Sequence, residues 1–223
     1  MTTRSLGKFS GEGFTSEVLE DSCGKVFFLA DADIDADGAN GQDGSRPAYT
    51  TNDNGSEFLA NGGMGIKGGK VVGVTDWFKH IVILGEDGQP KVFYGARGVI
   101  ASKTAYRYPG LSPLDPLAYV NSETVPYMVV PPVIISATNG AVMGCKCLVT
   151  NVQNGRSVYG MVADVGPRVK VGEVSIHMAR LLGIPESPRY GGTNLPIIKY
   201  ELWPGVVTDI KGVKLLSSRG TYS

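Results

Sequence analysis

Short apolar runs separated by turn residues make up most of the chain. They include "KVFFLADADI", "KHIVILG", "KVFYGARGVIASKTAY", "CKCLVTNV", "RSVYGMVADVG" and "PIIKYEL". Runs of this length, rich in Val, Ile, Tyr and Phe and bounded by Gly, Pro, Asn or Asp, are typical of β-strands. Asn154 and Gly155 separate two of these runs, and this pair predicts a β-hairpin with a type I′ turn. The pattern therefore predicts a mainly β protein.

One segment, "EVSIHMARLLG" at residues 173–183, has helical periodicity. Four of its apolar residues recur at helical spacing: Val174, Met178, Leu181 and Leu182. Gly183 followed by Pro185 is a typical helix end. The sequence shows neither an internal repeat nor a composition shift that would mark a linker. We therefore expect residues 1–223 to form one domain with one or two short helices.

The composition argues against nucleic-acid and membrane partners. The 21 basic and 21 acidic residues give a formal net charge of zero, and no run of Lys or Arg is present. The longest apolar stretch, "MVVPPVIISA", is too short to span a bilayer and contains Pro131 and Pro132. The N-terminus, "MTTRSLGKFSGEG", lacks the apolar core of a cleavable secretion signal. We expect a soluble protein that needs another export route if it acts outside the cell.

The cysteines and histidines do not form a metal-ligand pattern. Cys145 and Cys147 alternate in an apolar strand, so we expect both on one face, in the core. Only Cys23, His80 and His177 remain, which leaves a zinc site unsupported. The sequence predicts no metal and no cofactor.

The N-terminal part of the chain is strongly acidic. Between Glu17 and Glu57 there are ten carboxylates against two basic residues, Lys25 and Arg46. This charge is typical of a solvated acidic loop, and it equally fits a surface for a cationic partner or a metal ion.

Part of this region partly matches an EF-hand calcium loop. Asp33, Asp35, Asp37 and Gly38 occupy its positions 1, 3, 5 and 6, but Gly44 stands where the bidentate Glu is required. The preceding segment is a predicted strand, whereas an EF-hand loop follows a helix. The sequence does not favour an EF-hand, and another kind of cation site stays open.

Asp164 and Glu173 are the candidate catalytic pair. They are nine residues apart, and the intervening Gly166-Pro167 and Gly172 allow the chain to double back. We expect Asp164 at the end of a strand and Glu173 at the start of the helix. Two carboxylates across a glycosidic bond are the minimal requirement for its hydrolysis. The alternative is that Asp164 is only a turn residue and Glu173 only a helix-start acid.

The run "NVQNGRSVYGMVADVGPRVKVGEVSIHMARLLGI" resembles the double-psi β-barrel signature of rare lipoprotein A and the expansins. More specifically, the chain resembles the chitosanases of glycoside hydrolase family 75. Five segments between residues 31 and 176 match in order: "DADIDADGANG", "GVIASKTAY", "YVNSETVPYMVVPP", "YGMVADVGP" and "VGEVSI". The chain departs from that family in lacking a secretion signal and in having Ala36 where the family often has Cys.

The resemblance implies a six-stranded double-psi β-barrel with a core at about 80–205 and an acidic elaboration at about 17–60. It implies an endo-acting, inverting hydrolase of β-1,4-linked glucosamine chains. Separately, we expect the protein to be a monomer. The implied catalytic residues are Asp164, as general acid, and Glu173. The implied substrate-binding residues are Asp35 and Asp37, which would hold ammonium groups of the polymer, and Lys103, Thr104 and Tyr106, which would line the groove.

Two other functions stay open at the level of sequence. One is a peptidoglycan-cleaving glycosidase delivered by a phage tail or a secretion apparatus, which fits the absence of a secretion signal. The other is a non-catalytic, expansin-like polysaccharide-binding module, because one fold serves several functions.

Overall fold

The computed structural model of the chain describes residues 2–42, 44–95, 98–140, 142–210 and 213–214. Its strands are β1 (Thr3–Ser10), β2 (Thr15–Asp21), β3 (Val26–Asp35), β4 (Tyr49–Thr50), β5 (Met64–Lys67), β6 (Lys70–Gly73), β7 (Val92–Phe93), β8 (Val99–Ile100), β9 (Tyr127–Val130), β10 (Cys145–Asn151), β11 (Ser157–Val165), β12 (Glu173–Ser175), β13 (Thr193–Val207), β14 (Asp209–Ile210) and β15 (Val213–Lys214). The helices are α1 (Phe78–Ile81), α2 (Pro132–Ala137) and α3 (Ile176–Leu182), with a 3₁₀ turn at Pro116–Ala118. Within the described residues, no helix has the length and apolar character needed to cross a membrane.

Six strands form a closed barrel in the order β3-β12-β9-β11-β10-β13, and β13 pairs with β3 to close it. The hairpin of β1 and β2 extends from the start of β3, where Leu19 pairs with Phe27. Outside the barrel, β4, β8 and β7 form a small sheet, and β5 and β6 form a hairpin.

The barrel consists of two halves with the same pattern of strand pairing, although β3, which completes the second half, comes first in the chain. In one half, β9, α2 and β10 precede β11, which pairs in parallel with β9 and antiparallel with β10. In the other half, β12, α3 and β13 are completed by β3, which pairs in parallel with β12 and antiparallel with β13. Adjacent parallel strands require a crossover connection, and two such crossings agree with double-psi connectivity. The prediction of a mainly β fold built on a six-stranded barrel is confirmed.

The main hydrophobic core lies inside the barrel. The rings of Phe28 and Tyr200 stack there with their centroids 4.8 Å apart. Cys145 and Cys147 are fully buried free thiols, so the expectation that both are core residues is confirmed. Further fully buried side chains are Tyr127, Met128, Val149, Met161, Ile176, Met178, Leu182 and Ile198.

The predicted helix is present but begins later than expected. The prediction placed Glu173 and Val174 in its first turn, whereas they lie in β12, which pairs in parallel with β3. The side chain of Ser175 caps the helix by accepting a hydrogen bond from the N–H of Met178. Barrel pairing thus overrides helical periodicity for these two residues. Gly183 ends α3 at a φ of +69°, as its sequence position indicated.

The barrel boundaries at about 80–205 also need correction. Strand β3, which the sequence assigned to the acidic elaboration, closes the barrel. The segment "KHIVILG" was predicted as a strand, but it begins within α1, because Phe78 packs over Gly73 and is buried. Among the described residues between 82 and 120, the two strands β7 and β8 pair outside the barrel.

The hairpin between β10 and β11 is confirmed, but the predicted type I′ turn is wrong. A type I′ turn requires positive φ at both central residues. Gly155 has a φ of +76°, whereas Asn154 is not among the described residues with positive φ. The amide of Asn154 instead donates a hydrogen bond of 3.0 Å to the carbonyl of Leu182. The turn is therefore shaped by its contact with the end of α3.

Ser175 is expected to be a large contributor to stability, because its buried hydroxyl makes three hydrogen bonds. It accepts from the N–H of Tyr127 and of Met178 and donates to the carbonyl of Val125. Replacement by Ala should lower the free energy of unfolding by about 2–4 kcal/mol, through a lost cap and two unpaired backbone groups. Chemical denaturation measures this change. The exposed Ser136 is the control, with an expected change within about 0.5 kcal/mol after replacement by Ala. Equal losses for both variants would contradict the account.

Candidate active site

An open cleft of about 1130 Å³ lies where β3, β9, β11 and β12 meet the loops that follow them. It is bordered by the acidic loop after β3, by α1, by residues 103–107 and by residues 188–191. All seven sequence-predicted site residues line it: Asp35, Asp37, Lys103, Thr104, Tyr106, Asp164 and Glu173.

A row of side chains crosses four adjacent strands on the floor of the cleft. Asp33 pairs with Glu173, Glu173 pairs with Val129, and Val129 pairs with Asp164. Residues paired across neighbouring strands project from the same face of a sheet. Asp33, Glu173 and Asp164 therefore face the same space, with Val129 between the last two.

The pairing defines the spacing of the catalytic candidates. Glu173 and Asp164 are two strands apart, so their Cα atoms are separated by about 9–10 Å, twice the usual interstrand distance. A register shift between Val162 and Asp164 marks a bulge that re-aims the end of β11. The eight residues between the pair in sequence, 165–172, form the connection that passes over β9.

Asp164 also belongs to a second group of carboxylates, which includes two residues of the acidic loop. Asp35, Asp37 and Asp164 each place a carboxylate oxygen within 4.8 Å of the others. Asp35 and Asp164 are buried, and Asp37 is half-buried. Glu173 lies outside this three-residue group, which we call the aspartate cluster.

The acidic loop is held in place by hydrogen bonds to Asp35 and by close packing of Gly38. The N–H of Asp37 donates to Oδ1 of Asp35 at 2.7 Å, and the hydroxyl of Tyr127 donates to Oδ2 at 3.0 Å. Gly38 has a φ of +75°, and an added Cβ would lie 1.9 Å from the carbonyl oxygen of Val120. Only glycine fits at this position, which folds the loop back over the barrel end.

The carboxyl of Asp164 is oriented by two backbone donors. The N–H groups of Ala105 and Val165 both donate to Oδ1, at 2.9 and 2.7 Å. Since Oδ1 is occupied as an acceptor, a proton on this carboxyl is expected on Oδ2.

Burial and mutual repulsion raise the pKa values of the carboxyls in the cleft. Desolvation is the main cause for Asp164, and the charge of Asp35 adds to it, so the pKa of Asp164 is well above its usual value. The pKa of Asp37 is likewise raised by desolvation and then by Asp35 and Asp164. The pKa of Asp35 is raised only to about 6, because the Asp37 N–H and the Tyr127 hydroxyl stabilise its ionised form.

Glu173 has a nearby positive charge, that of Lys170. Desolvation, then Asp35 and Asp164, raise the pKa of Glu173, while Lys170 opposes the rise. The amine of Lys170 forms an ion pair with Asp33 and lies 4.0 Å from Asp31. Lys170 therefore favours the ionised form of the carboxylates at this side of the cleft.

Three predicted groove residues are tied into the fold. The hydroxyl of Thr104 donates to the carbonyl of Tyr106 and accepts from the N–H of Val120. The amine of Lys103 donates to the carbonyl of Lys79 at 2.9 Å. Tyr106 is buried, and its hydroxyl has no partner among the described residues.

An ion-pair network fastens the acidic loop to α3. The buried carboxylate of Glu123 accepts from Arg46, in the acidic loop, at 2.9 Å and from Arg180, in α3, at 3.1 Å. Glu186 accepts from the same Arg180 at 2.6 Å. The network therefore connects three segments that border the cleft: the acidic loop with Asp37, helix α3 that follows β12, and the segment after α3 that carries Arg189.

Sequence reasoning missed several residues that line the cleft or support its carboxylates from behind. Tyr127 was predicted only as part of a strand, although its hydroxyl supports Asp35. Lys170, Glu57, Trp77 and Tyr190 carried no motif or periodicity that singled them out. The single available signal was their proximity in sequence to Gly-rich and Pro-rich turns, which does not identify a site.

The aspartate cluster has the oxygen chemistry of a site for a hard cation. Its three carboxylates each offer one oxygen to such an ion. Protons shared among buried carboxyls neutralise the same charge without an ion. The hydrogen bonds to Asp35 and Asp164 already occupy three of the four oxygens of these two residues.

No model of a known protein family matches this chain, and a search of curated proteins finds no match either.

The raised pKa values make stability depend on pH. A carboxyl with a higher pKa in the folded state binds more protons when folded, so the free energy of unfolding falls as pH rises. The fall begins near the unfolded value of about 4 and continues through the folded pKa, about 6 for Asp35. Replacing Asp164 by Asn should therefore stabilise the protein at pH 7 and have a smaller effect at pH 4.

Denaturation at the two pH values measures this effect. The exposed Glu86 is the control, and its replacement by Gln should change stability equally little at both. A destabilised Asp164→Asn protein at pH 7 would show that the carboxyl is favourably ionised in the folded state.

Proposed function

We propose that this protein is an endo-acting glycoside hydrolase that cleaves chains of β-1,4-linked glucosamine with inversion of the anomeric centre. The observation that carries the proposal is the row on the cleft floor, where Asp164 and Glu173 face one space from either side of Val129. An open cleft accepts the interior of a polymer, whereas a closed pocket accepts only its ends.

Asp164 is the proposed general acid. A general acid must hold its proton at the working pH, and the raised pKa of Asp164 meets that requirement. The two N–H groups on Oδ1 leave Oδ2 to carry the proton and to donate it to the leaving oxygen. The ionised form of Asp35 helps to keep that proton in place, so Asp35 acts through Asp164.

Glu173 is the proposed general base. Desolvation, Asp35 and Asp164 raise the pKa of Glu173, and Lys170 works against that rise. The ionised form that Lys170 favours is the one that activation of a water molecule requires. Inverting enzymes separate their carboxyl groups by about 6.5–9.5 Å to accommodate that water. Two side chains that start about 9–10 Å apart across one intervening strand are compatible with this separation.

The charge of the cleft supports a cationic substrate. Six acidic residues line it: Asp33, Asp35, Asp37, Glu57, Asp164 and Glu173. Three Lys or Arg residues also line it. Arg189 donates to Asp53 and to the carbonyl of Glu57, and Lys103 and Arg107 each donate to a backbone carbonyl. Asp37, half-buried and facing the cleft, is the member of the acidic loop best placed to accept a hydrogen bond from a substrate ammonium group.

The sequence resemblance to family 75 chitosanases supports the same assignment, since it implies these two carboxylates and a polycationic substrate. A peptidoglycan-cleaving glycosidase would share the acid and base. An expansin-like module would bind a polysaccharide in the same cleft without cutting it.

Asp164→Asn and Glu173→Gln are expected each to lower kcat on fully deacetylated chitosan by about 10²–10⁴-fold while leaving the fold intact. Asn can still accept the N–H groups of Ala105 and Val165, but it cannot release a proton. Reducing-end release measures the rate, and circular dichroism with thermal unfolding verifies the fold. Glu86→Gln serves as the matched control and should retain wild-type activity. Two near-wild-type rates would remove this pair from the chemistry.

The products distinguish the functions. Incubation of the wild-type protein with chitosan, chitin and peptidoglycan should release oligomers from chitosan, with NMR showing inverted anomeric configuration. Release from peptidoglycan alone would assign the second function, and binding without release from any polymer would assign the third. Retained configuration would contradict inversion while leaving the pair in place.

A further inference from the structure

Two aromatic side chains line the cleft with much of their surface open to solvent. Trp77 is 54% exposed and Tyr190 is 82% exposed. The other described Tyr residues of the cleft, Tyr49, Tyr106 and Tyr119, are buried. Trp77 and Tyr190 therefore provide the aromatic surface that a ligand can cover, and covering it is favourable in water.

Tyr190 is held by a stack of neighbouring side chains. Its ring meets the ring of Phe58 edge to face, with centroids 5.7 Å apart. The guanidinium of Arg189 lies 4.1 Å from the centre of the Phe58 ring and donates to the carbonyl oxygens of Asp53 and Glu57. These contacts fix the segment while leaving most of the Tyr190 ring uncovered.

Trp77 is held by the helical turn that it precedes. Phe78, the next residue, is buried, and an added Cβ at Gly63 would lie 3.3 Å from the Trp77 side chain. Lys103 ties the turn to the cleft wall, because its N–H donates to the carbonyl of Ile81 at 2.7 Å. Both aromatic side chains are thus presented by anchored segments, which lowers the entropic cost of binding.

The two rings belong to segments that border different carboxylates. The Tyr190 segment continues into Gly192, where an added Cβ would lie 2.2 Å from the carbonyl oxygen of Ala32. Ala32 precedes Asp33, which pairs with Glu173. The Trp77 segment adjoins Lys103, whose charge interacts with Asp37. These contacts link the Trp77 segment to Asp37 and the Tyr190 segment to Asp33, which pairs with Glu173.

Glucosamine suits such surfaces in two ways. One face of its ring carries C–H bonds that pack flat against an aromatic ring, and its ammonium group is attracted to the face of Trp or Tyr. We propose that Trp77 and Tyr190 are stacking platforms for sugar units on either side of the bond that is cut. This inference rests on the proposed function for the identity of the polymer.

The test compares kcat and KM of the wild type, Trp77→Ala, Tyr190→Ala, Trp77→Phe and Tyr190→Phe on deacetylated chitosan. Each Ala variant is expected to raise KM about tenfold, equivalent to about 1.4 kcal/mol, and to change kcat by less than about threefold. The Phe variants keep a ring and should stay within about threefold of wild type. Tyr159→Ala is the control, because Tyr159 is 59% exposed but lies outside the cleft lining; it should leave KM unchanged.

Direct binding separates this inference from the proposed function. Calorimetry of glucosamine hexamer binding in an Asp164→Asn background should show the same tenfold losses. If the wild type does not cut chitosan but the hexamer binds in a Trp77- and Tyr190-dependent manner, the platforms stand and the hydrolase proposal fails. If chitosan is cut and the Ala variants bind the hexamer as wild type does, the platforms are overturned. If the hexamer does not bind the Asp164→Asn protein in which Trp77 and Tyr190 are intact, the platforms are also overturned.

Discussion

Four carboxylates, those of Asp35, Asp37, Asp164 and Glu173, are shielded from bulk water at one end of a small barrel. The rest of the site depends on how the surrounding groups stabilise their charge. Burial disfavours every ionised form, and each ionised neighbour adds to the cost. The cleft offers hydrogen bonds to Asp35, two backbone donors to Asp164, and an ammonium group, that of Lys170, beside Glu173. These unequal surroundings leave Asp35 with a pKa raised only to about 6, whereas the pKa values of Asp37, Asp164 and Glu173 are raised well above their usual range.

The barrel connectivity creates this arrangement. Asp35 ends β3 and Asp164 lies near the end of β11, and these are the equivalent strands of the two barrel halves. Because each half brings a strand end to the same place, two carboxylates more than 100 residues apart become neighbours. Glu173 opens β12, which the same connectivity inserts between β3 and β9. One topological feature therefore assembles the whole constellation.

The sequence predicted most of the strands, because apolar runs and turn residues are local signals. It also predicted that Asp164 and Glu173 meet in one site, because the Gly and Pro residues between them allow the chain to double back. It could not predict that Val129 separates the pair, since register is a property of non-local pairing. It missed α1, where burial of Phe78 over Gly73 overrides strand propensity, and it placed Glu173 in a helix that barrel pairing shortens. Tyr127 and Lys170 support the carboxylates from other strands and loops, and neither has a local signature.

The account centres on a proton that Asp164 retains at neutral pH. Infrared difference spectroscopy of the wild type against Asp164→Asn detects it directly, because a protonated carboxyl and a carboxylate absorb at different frequencies. At about pH 7, above the unperturbed carboxyl range, the account predicts a protonated-carboxyl band in the difference spectrum, from the proton that the variant lacks. A difference spectrum that shows the loss of a carboxylate instead of a protonated carboxyl at that pH would contradict it.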